Sequence, residues 1–300
     1  MNVLVIPDIH LKTWLFDKAE VILKEGKADM AVCLMDMPDD WDMELRIDRY
    51  RETFDRAIAF AVSYPDTLWC YGNHDVSYPW GKLESGYSPY AERTVITKLK
   101  ELENSLQDHS RINIMHRIDN VLFSHGGLTT EYVKRLGRDL LDANIDDVIA
   151  AVNDASYDRL WNDESPLWFR PQYKTREVFR ADLYKQVVGH TPVKKIYEKN
   201  GIISTDVFSS YRDGTQIGES AMIVIDSKTG EYKKIDIKKV YIPNKMQEMI
   251  RCRGIFHFTV QQEIKRLKCF ILSGHLIIRV SIMMFFANPE LHTYGIRTKE

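Results

Sequence analysis

Residues 67–75 read TLWCYGNHD: a short run of strand-forming side chains stops at Gly72 and delivers Asn73, His74 and Asp75 in succession. Strand propensity, followed by the sharp turn that Gly-Asn favours, puts these polar groups at the carboxyl end of a strand. Four other stretches share the design. VLVIPDIH (3–10) ends in Asp8 and His10, MAVCLMDMPDD (30–40) in Asp36 and Asp39, VLFSHGG (121–127) in His125, and VVGHT (187–191) in His190. In an α/β protein the carboxyl ends of neighbouring strands open onto one crevice, where donors distant in sequence meet. Imidazole nitrogens with carboxylate and amide oxygens gathered there make a site for divalent cations.

Outward from these five ends, strand-like and helix-like segments alternate, which is the pattern of a layered α/β core. Strands are expected at 2–7, 30–35, 67–71, 112–116, 120–124 and 186–189, with late antiparallel strands at 201–206, 220–226 and 231–237. Helices are expected at 14–26, 43–63, 91–107, 129–137 and 144–153. The second of them turns Leu45, Phe54, Ile58 and Val62 toward the core. The Gly-, Ser- and Tyr-rich loop 76–90 is long enough to carry function, with Tyr78, Tyr87 and Tyr90 either shaping a rim or packing on one another. The irregular stretch 156–184 holds Trp161 and Trp168, read as anchors of the loop ahead of stacking surfaces for a base.

Composition narrows the classes. Three hundred residues with 44% hydrophobic content suffice for a sizeable core, and a net charge of −2 leaves no electrostatic footprint for nucleic acid, so none is expected as a partner. Cys33, Cys70, Cys252 and Cys269 are widely spaced without a CxxC pair, which reads as reduced thiols of a cytoplasmic protein. The chain divides into a domain at 1–241 and an atypical extension at 242–300 whose role is unknown. An apolar run at 269–287 contains His275 and Arg279, and a mid-bilayer arginine costs roughly 2.5–3.5 kcal/mol, so no membrane partner is expected.

The donors suggest a division of labour. Asp8, His10 and Asp36 would hold one divalent ion and Asn73, His125 and His190 a second, with the Asp36 carboxylate bridging both. Two ions side by side activate a water to hydroxide for in-line attack on a phosphoester, so no side-chain nucleophile is needed. His74 is free to protonate the departing alkoxide, and Asp39 is placed to fix its tautomer.

The order DxH, Dx₂D, GNH[DE], HGG and GH[TP] resembles the calcineurin-like metallophosphoesterases over about residues 1–237. SHGGL at 124–128 and LWFRP at 167–171 look most like the branch of the phosphoprotein phosphatases and symmetrical diadenosine tetraphosphatases, and Asp206 in IISTD matches an aspartate typical of that branch. The resemblance implies a four-layer αββα sandwich of two mixed sheets flanked by helices. It also implies two divalent ions, manganese first with iron or zinc as alternatives, and a phosphorylated substrate contacted by Arg170. Phosphoprotein, dinucleoside polyphosphate and small phosphomonoester all remain open as that substrate. Two departures stand out: Met35 occupies the place of the usual glycine before Asp36, and Asp40 that of an arginine. Met35 would crowd the ion or force an altered backbone angle. From these departures comes the competing expectation of a degenerate metal-binding or scaffolding protein with little turnover.

Overall fold

The computed structural model describes residues 1–237, and the extension expected at 242–300 lies outside them. Its strands are β1 (Asn2–Ile6), β2 (Met30–Cys33), β3 (Leu68–Cys70), β4 (Ile112–Asn113), β5 (Met115–Ile118), β6 (Val121–Ser124), β7 (Lys185–Val188), β8 (Tyr197–Lys199), β9 (Ile202–Ser204), β10 (Ala221–Asp226) and β11 (Tyr232–Asp236). They form two mixed sheets, one in the order β11-β10-β1-β2-β3-β4 and the other β5-β6-β7-β9-β8. In the first, β1 to β4 run parallel while β10 lies antiparallel to β1. In the second, β6, β7 and β9 run parallel between two antiparallel edges.

Side-chain alternation makes these sheets the inner layers of a sandwich. In β6, Val121 and Phe123 join the core shared with β1 and β2, while Leu122 points to the opposite core under the helices. Strand β1 is buried along Val3 to Ile6, as expected of a central strand covered on both faces. Helices α1 (Trp14–Lys24), α2 (Ile47–Ser63) and α4 (Glu92–Ser105) cover the first sheet. The short α3 (Asn73–Ser77) caps β3. Helices α5 (Thr130–Leu136) and α6 (Ile145–Asn153) cover the second sheet, with the single turn α7 (Tyr157–Leu160) beyond them. No helix among the described residues is long and apolar enough to cross a membrane.

Several expectations are corrected in detail. Helix α2 begins at Ile47, and its buried face is Tyr50, Thr53, Phe54, Ala57, Phe60 and Ala61; Leu45 precedes the helix and Val62 lies on its outer face, so both are exposed. The run 112–116 breaks at Ile114 and serves both sheets, as β4 and β5. Strand β9 is antiparallel only to β8, which the sequence reading missed, and parallel to β7. The polar turn at Asp119-Asn120 does join β5 to β6.

Candidate metal centre

Each of the five motifs follows a parallel strand, three from the first sheet and two from the second, and their side chains meet between the sheet ends. Backbone pairing extends β1 and β2 past their ends: Ile9 N–H donates to Met35 O at 2.9 Å and His10 N–H to Asp36 O at 2.8 Å. Asp75 ties in the third loop, accepting from the N–H groups of Asp36 (2.8 Å), Met37 (2.9 Å) and Gly72 (2.9 Å). This brace was not assigned from the sequence, although its place in GNHD was a signal.

Asp36 stands at the middle. Its Oδ1 accepts from His74 N–H at 2.9 Å, and its Oδ2 lies 3.2 Å from His125 Nε2 and 3.6 Å from His10 Nε2. His10 Nδ1 donates to Asp39 O at 2.9 Å and His125 Nδ1 to Leu34 O at 3.1 Å, so both rings turn Nε2 inward. His125 Nε2 also lies 3.1 Å from Asn73 Oδ1 and 3.2 Å from His190 Nδ1. Asp8 is fully buried; its Oδ1 accepts from His190 N–H at 2.8 Å.

This donor set fits divalent cations. Ligand atoms of Asp8, His10 and Asp36 lie within 4.8 Å of one another, as do those of Asp36, His125 and His190, so Asp36 belongs to both groups. Asp8 Oδ2 and His190 Nε2 are buried without any hydrogen-bond partner, a costly state that a cation would relieve. A Cβ on Gly72 would lie 2.1 Å from Asp36 Oδ1, and one on Gly189 2.1 Å from Asp8 Oδ2. The two glycines leave the carboxylates their room.

The charges agree. Burial pulls the His125 pKa down, but the Asp36 and Asp8 carboxylates outweigh it and push it up to about 9. Burial raises Asp36, yet His125 and His74 hold it well below the usual carboxylate range. Asp8 is raised, by burial first and Asp206 second.

His74 borders this cluster, its ring 5.3 Å from that of His10, but engages a partner of its own. Its Nδ1 lies 2.8 Å from Asp39 Oδ2, and Asp39 Oδ1 accepts from Tyr50 at 3.0 Å and Tyr78 at 2.5 Å. Burial lowers the His74 pKa, but Asp36 and the Asp39 hydrogen bond prevail and lift it to about 9. Tyr50 was not singled out by sequence reasoning, since nothing marks one buried aromatic of α2 from another. Tyr78 is buried and stacks on Tyr87 with centroids 4.4 Å apart, while Tyr90 is exposed.

A cleft of about 190 Å³ opens over these groups, lined among others by His10, Asp36, His74, Arg170 and His190. Arg170 Nη1 donates to His190 O at 2.9 Å and Thr191 Oγ1 at 3.3 Å, which aims the guanidinium at the centre. Asp40 is paired with Lys12 at 2.9 Å. Met35 has φ 53, so it takes the altered backbone angle; its side chain is buried in the core and does not line the cleft. His10 (φ 40), Leu11 (φ 59), Asp36 (φ 47), Asp39 (φ 66) and His190 (φ 63) share the left-handed region, a clustering of strain typical of functional sites. Trp161 and Trp168 pack against the second core at 5.1 Å from each other, and Trp168 meets the His190 ring at 5.4 Å; neither lines the cleft.

A family model for the calcineurin-like phosphoesterases matches residues 1–207. Among solved structures, the cold-active protein-tyrosine phosphatase of a psychrophilic Shewanella species is 18% identical, with a TM-score of 0.47 over 78% of this chain and 80% of that one. A metallophosphoesterase from Sphaerobacter thermophilus is 16% identical, with a TM-score of 0.39 over 85% of this chain and 95% of that one. A hypothetical protein from Pyrococcus horikoshii is 13% identical, with a TM-score of 0.43 over 84% and 93%. No curated protein matches the chain.

Proposed function

The chain belongs to the calcineurin-like phosphoesterases, and on that premise we propose that it hydrolyses phosphate esters at two divalent ions sharing Asp36, with His74 as general acid. The observation that carries this reading is the membership of Asp36 in both ligand groups. Asp8, His10 and Asp36 would hold one ion; Asn73, His125, His190 and the same Asp36 would hold the other. When bound, the ions neutralise phosphoryl oxygens and lower the pKa of a water.

The rest falls to the side chains. His74, protonated near neutral pH, gives its Nε2 proton to the departing alkoxide, and Asp39 keeps Nδ1 as the donor toward its own carboxylate. Tyr50 and Tyr78 hold Asp39 in place. Arg170 orients the phosphate through the guanidinium N–H groups not engaged by His190 and Thr191. The family resemblance favours manganese, with iron or zinc as alternatives, and the nitrogen and oxygen donors accommodate all three. Cys33 and Cys70 are free and buried, which supports a reducing, cytoplasmic setting. The substrate is a phosphorylated protein, a dinucleoside polyphosphate or a small phosphomonoester.

The test is hydrolysis of a chromogenic phosphate ester by chelated protein reloaded with manganese, iron or zinc. Asp36→Asn should abolish both turnover and metal retention, whereas His74→Asn should cut turnover by about 10²–10⁴-fold with metal content intact. Silence of the wild type with every ion, and turnover only in Met35→Gly, would favour the degenerate metal-binding reading.

A further inference from the structure

Beside the proposed acid stands a residue that the proposed chemistry does not use. Trp41 lines the same cleft as His74 and Asp39, two positions after the aspartate that orients His74. Its side chain is 38% exposed, unusual for an indole that is otherwise well anchored. The anchor is a hydrogen bond from Nε1 to Ser210 O at 2.8 Å. The receiving segment is itself tied back: Ser210 pairs with Gln216, and Tyr211 N–H donates to Thr215 O at 2.8 Å. Arg212 sits 5.3 Å from the ring centroid and has no carboxylate partner among the described residues. Pro192 and Ile217 add apolar surface to the same cleft.

We propose that Trp41 is a specificity-determining residue that selects esters whose leaving group carries a flat aromatic ring, by stacking that ring as it departs toward His74. This rests on the phosphoesterase reading above. At about 190 Å³ the cleft is smaller than the roughly 300–1,000 Å³ that encloses a whole drug-sized ligand, so what is esterified to the phosphate must run out along the rim. Trp41 lines that cleft together with His74. An indole with its N–H satisfied and its ring pinned loses little freedom on stacking, which makes it an efficient platform for a planar group. A nucleoside base and a tyrosine ring both offer that face.

The test compares adenosine 5′-monophosphate and phosphotyrosine with glycerol phosphate, which has no ring, using Trp41→Phe and Trp41→Leu. Both variants fill the space, but only the first keeps a flat π face. The ratio of kcat/KM for a ring ester over glycerol phosphate should fall about tenfold or more in Trp41→Leu and clearly less in Trp41→Phe, which keeps the flat face but not the Nε1 anchor, mostly through KM. The ring ester with the larger loss identifies the source. Equal ratios in the two variants, or a ratio within about twofold of wild type in Trp41→Leu, would overturn the proposal. Should the wild type hydrolyse none of the three, the chromogenic-ester assay with reloaded metal decides the phosphoesterase reading separately. Calorimetric binding of adenosine 5′-monophosphate and phosphotyrosine then decides the role of Trp41, by the same comparison of Phe with Leu.

Discussion

Met35 shows two residue-scale effects in opposition. Its φ of 53 costs a side chain roughly 1–2 kcal/mol, while full burial of a methionine contributes about 1.5–3 kcal/mol and its removal leaves a cavity as well. Burial wins. Met35→Gly should therefore lower stability by about 1–3 kcal/mol in urea denaturation of the metal-free protein; a gain in stability would show that strain dominates. His74 lends itself to a pH experiment. Its pKa is raised from the ordinary 6.5 to about 9, so the acid is protonated below that range and is lost as pH rises through it. Bound cations cancel the share that comes from Asp36 and leave that of Asp39. The alkaline limb of kcat in the loaded enzyme should thus lie between these values, and Asp39→Asn should move it to lower pH. A limb indifferent to Asp39 would remove His74 from the role of acid.

At the level of elements, the strand ends matter more than the strands. β1, β2 and β3 deliver carboxylates, the His10 imidazole and an amide from one sheet, β6 and β7 deliver two further imidazoles from the other, and glycines keep the junctions open. Gly189 lies at the end of β7, where an added Cβ would meet Asp8 Oδ2 at 2.1 Å. Asp8 is buried and fixed by the His190 N–H, so it has little room to withdraw. Gly189→Ala should accordingly reduce bound metal, read by elemental analysis, while circular dichroism shows the fold retained. Full metal occupancy in that variant would mean that Asp8 is not needed as a ligand. Glycine reads as a loop-former in the sequence; its real task here, leaving space for a carboxylate from another strand, is visible only once the strands are assembled.

For the whole molecule, all six proposed ligands precede residue 191 and the compact unit they belong to is Met1–Lys239. Removal of residues after 241 should leave metal binding and ester hydrolysis intact, with loss of soluble, folded protein as the contrary result. The fold class was legible because short apolar runs and the polar groups at their ends are local properties: β1, β2, β3, β6 and β7 announce themselves within about eight to ten residues each. The donors were legible through joint occurrence: a single Asp, His or Asn after an apolar run is as often a turn, but five such ends fall in one chain. The phase of α2, the division of 112–116 between two sheets and the existence of β8 were not, because short or mixed apolar runs fit more than one partner. The bracing of Asp39 by Tyr50, the three backbone bonds of Asp75 and the position of Trp41 at the cleft were likewise closed to sequence. Each depends on groups that different elements bring together, up to 169 residues apart, and only the assembled strands, helices and loops set those distances.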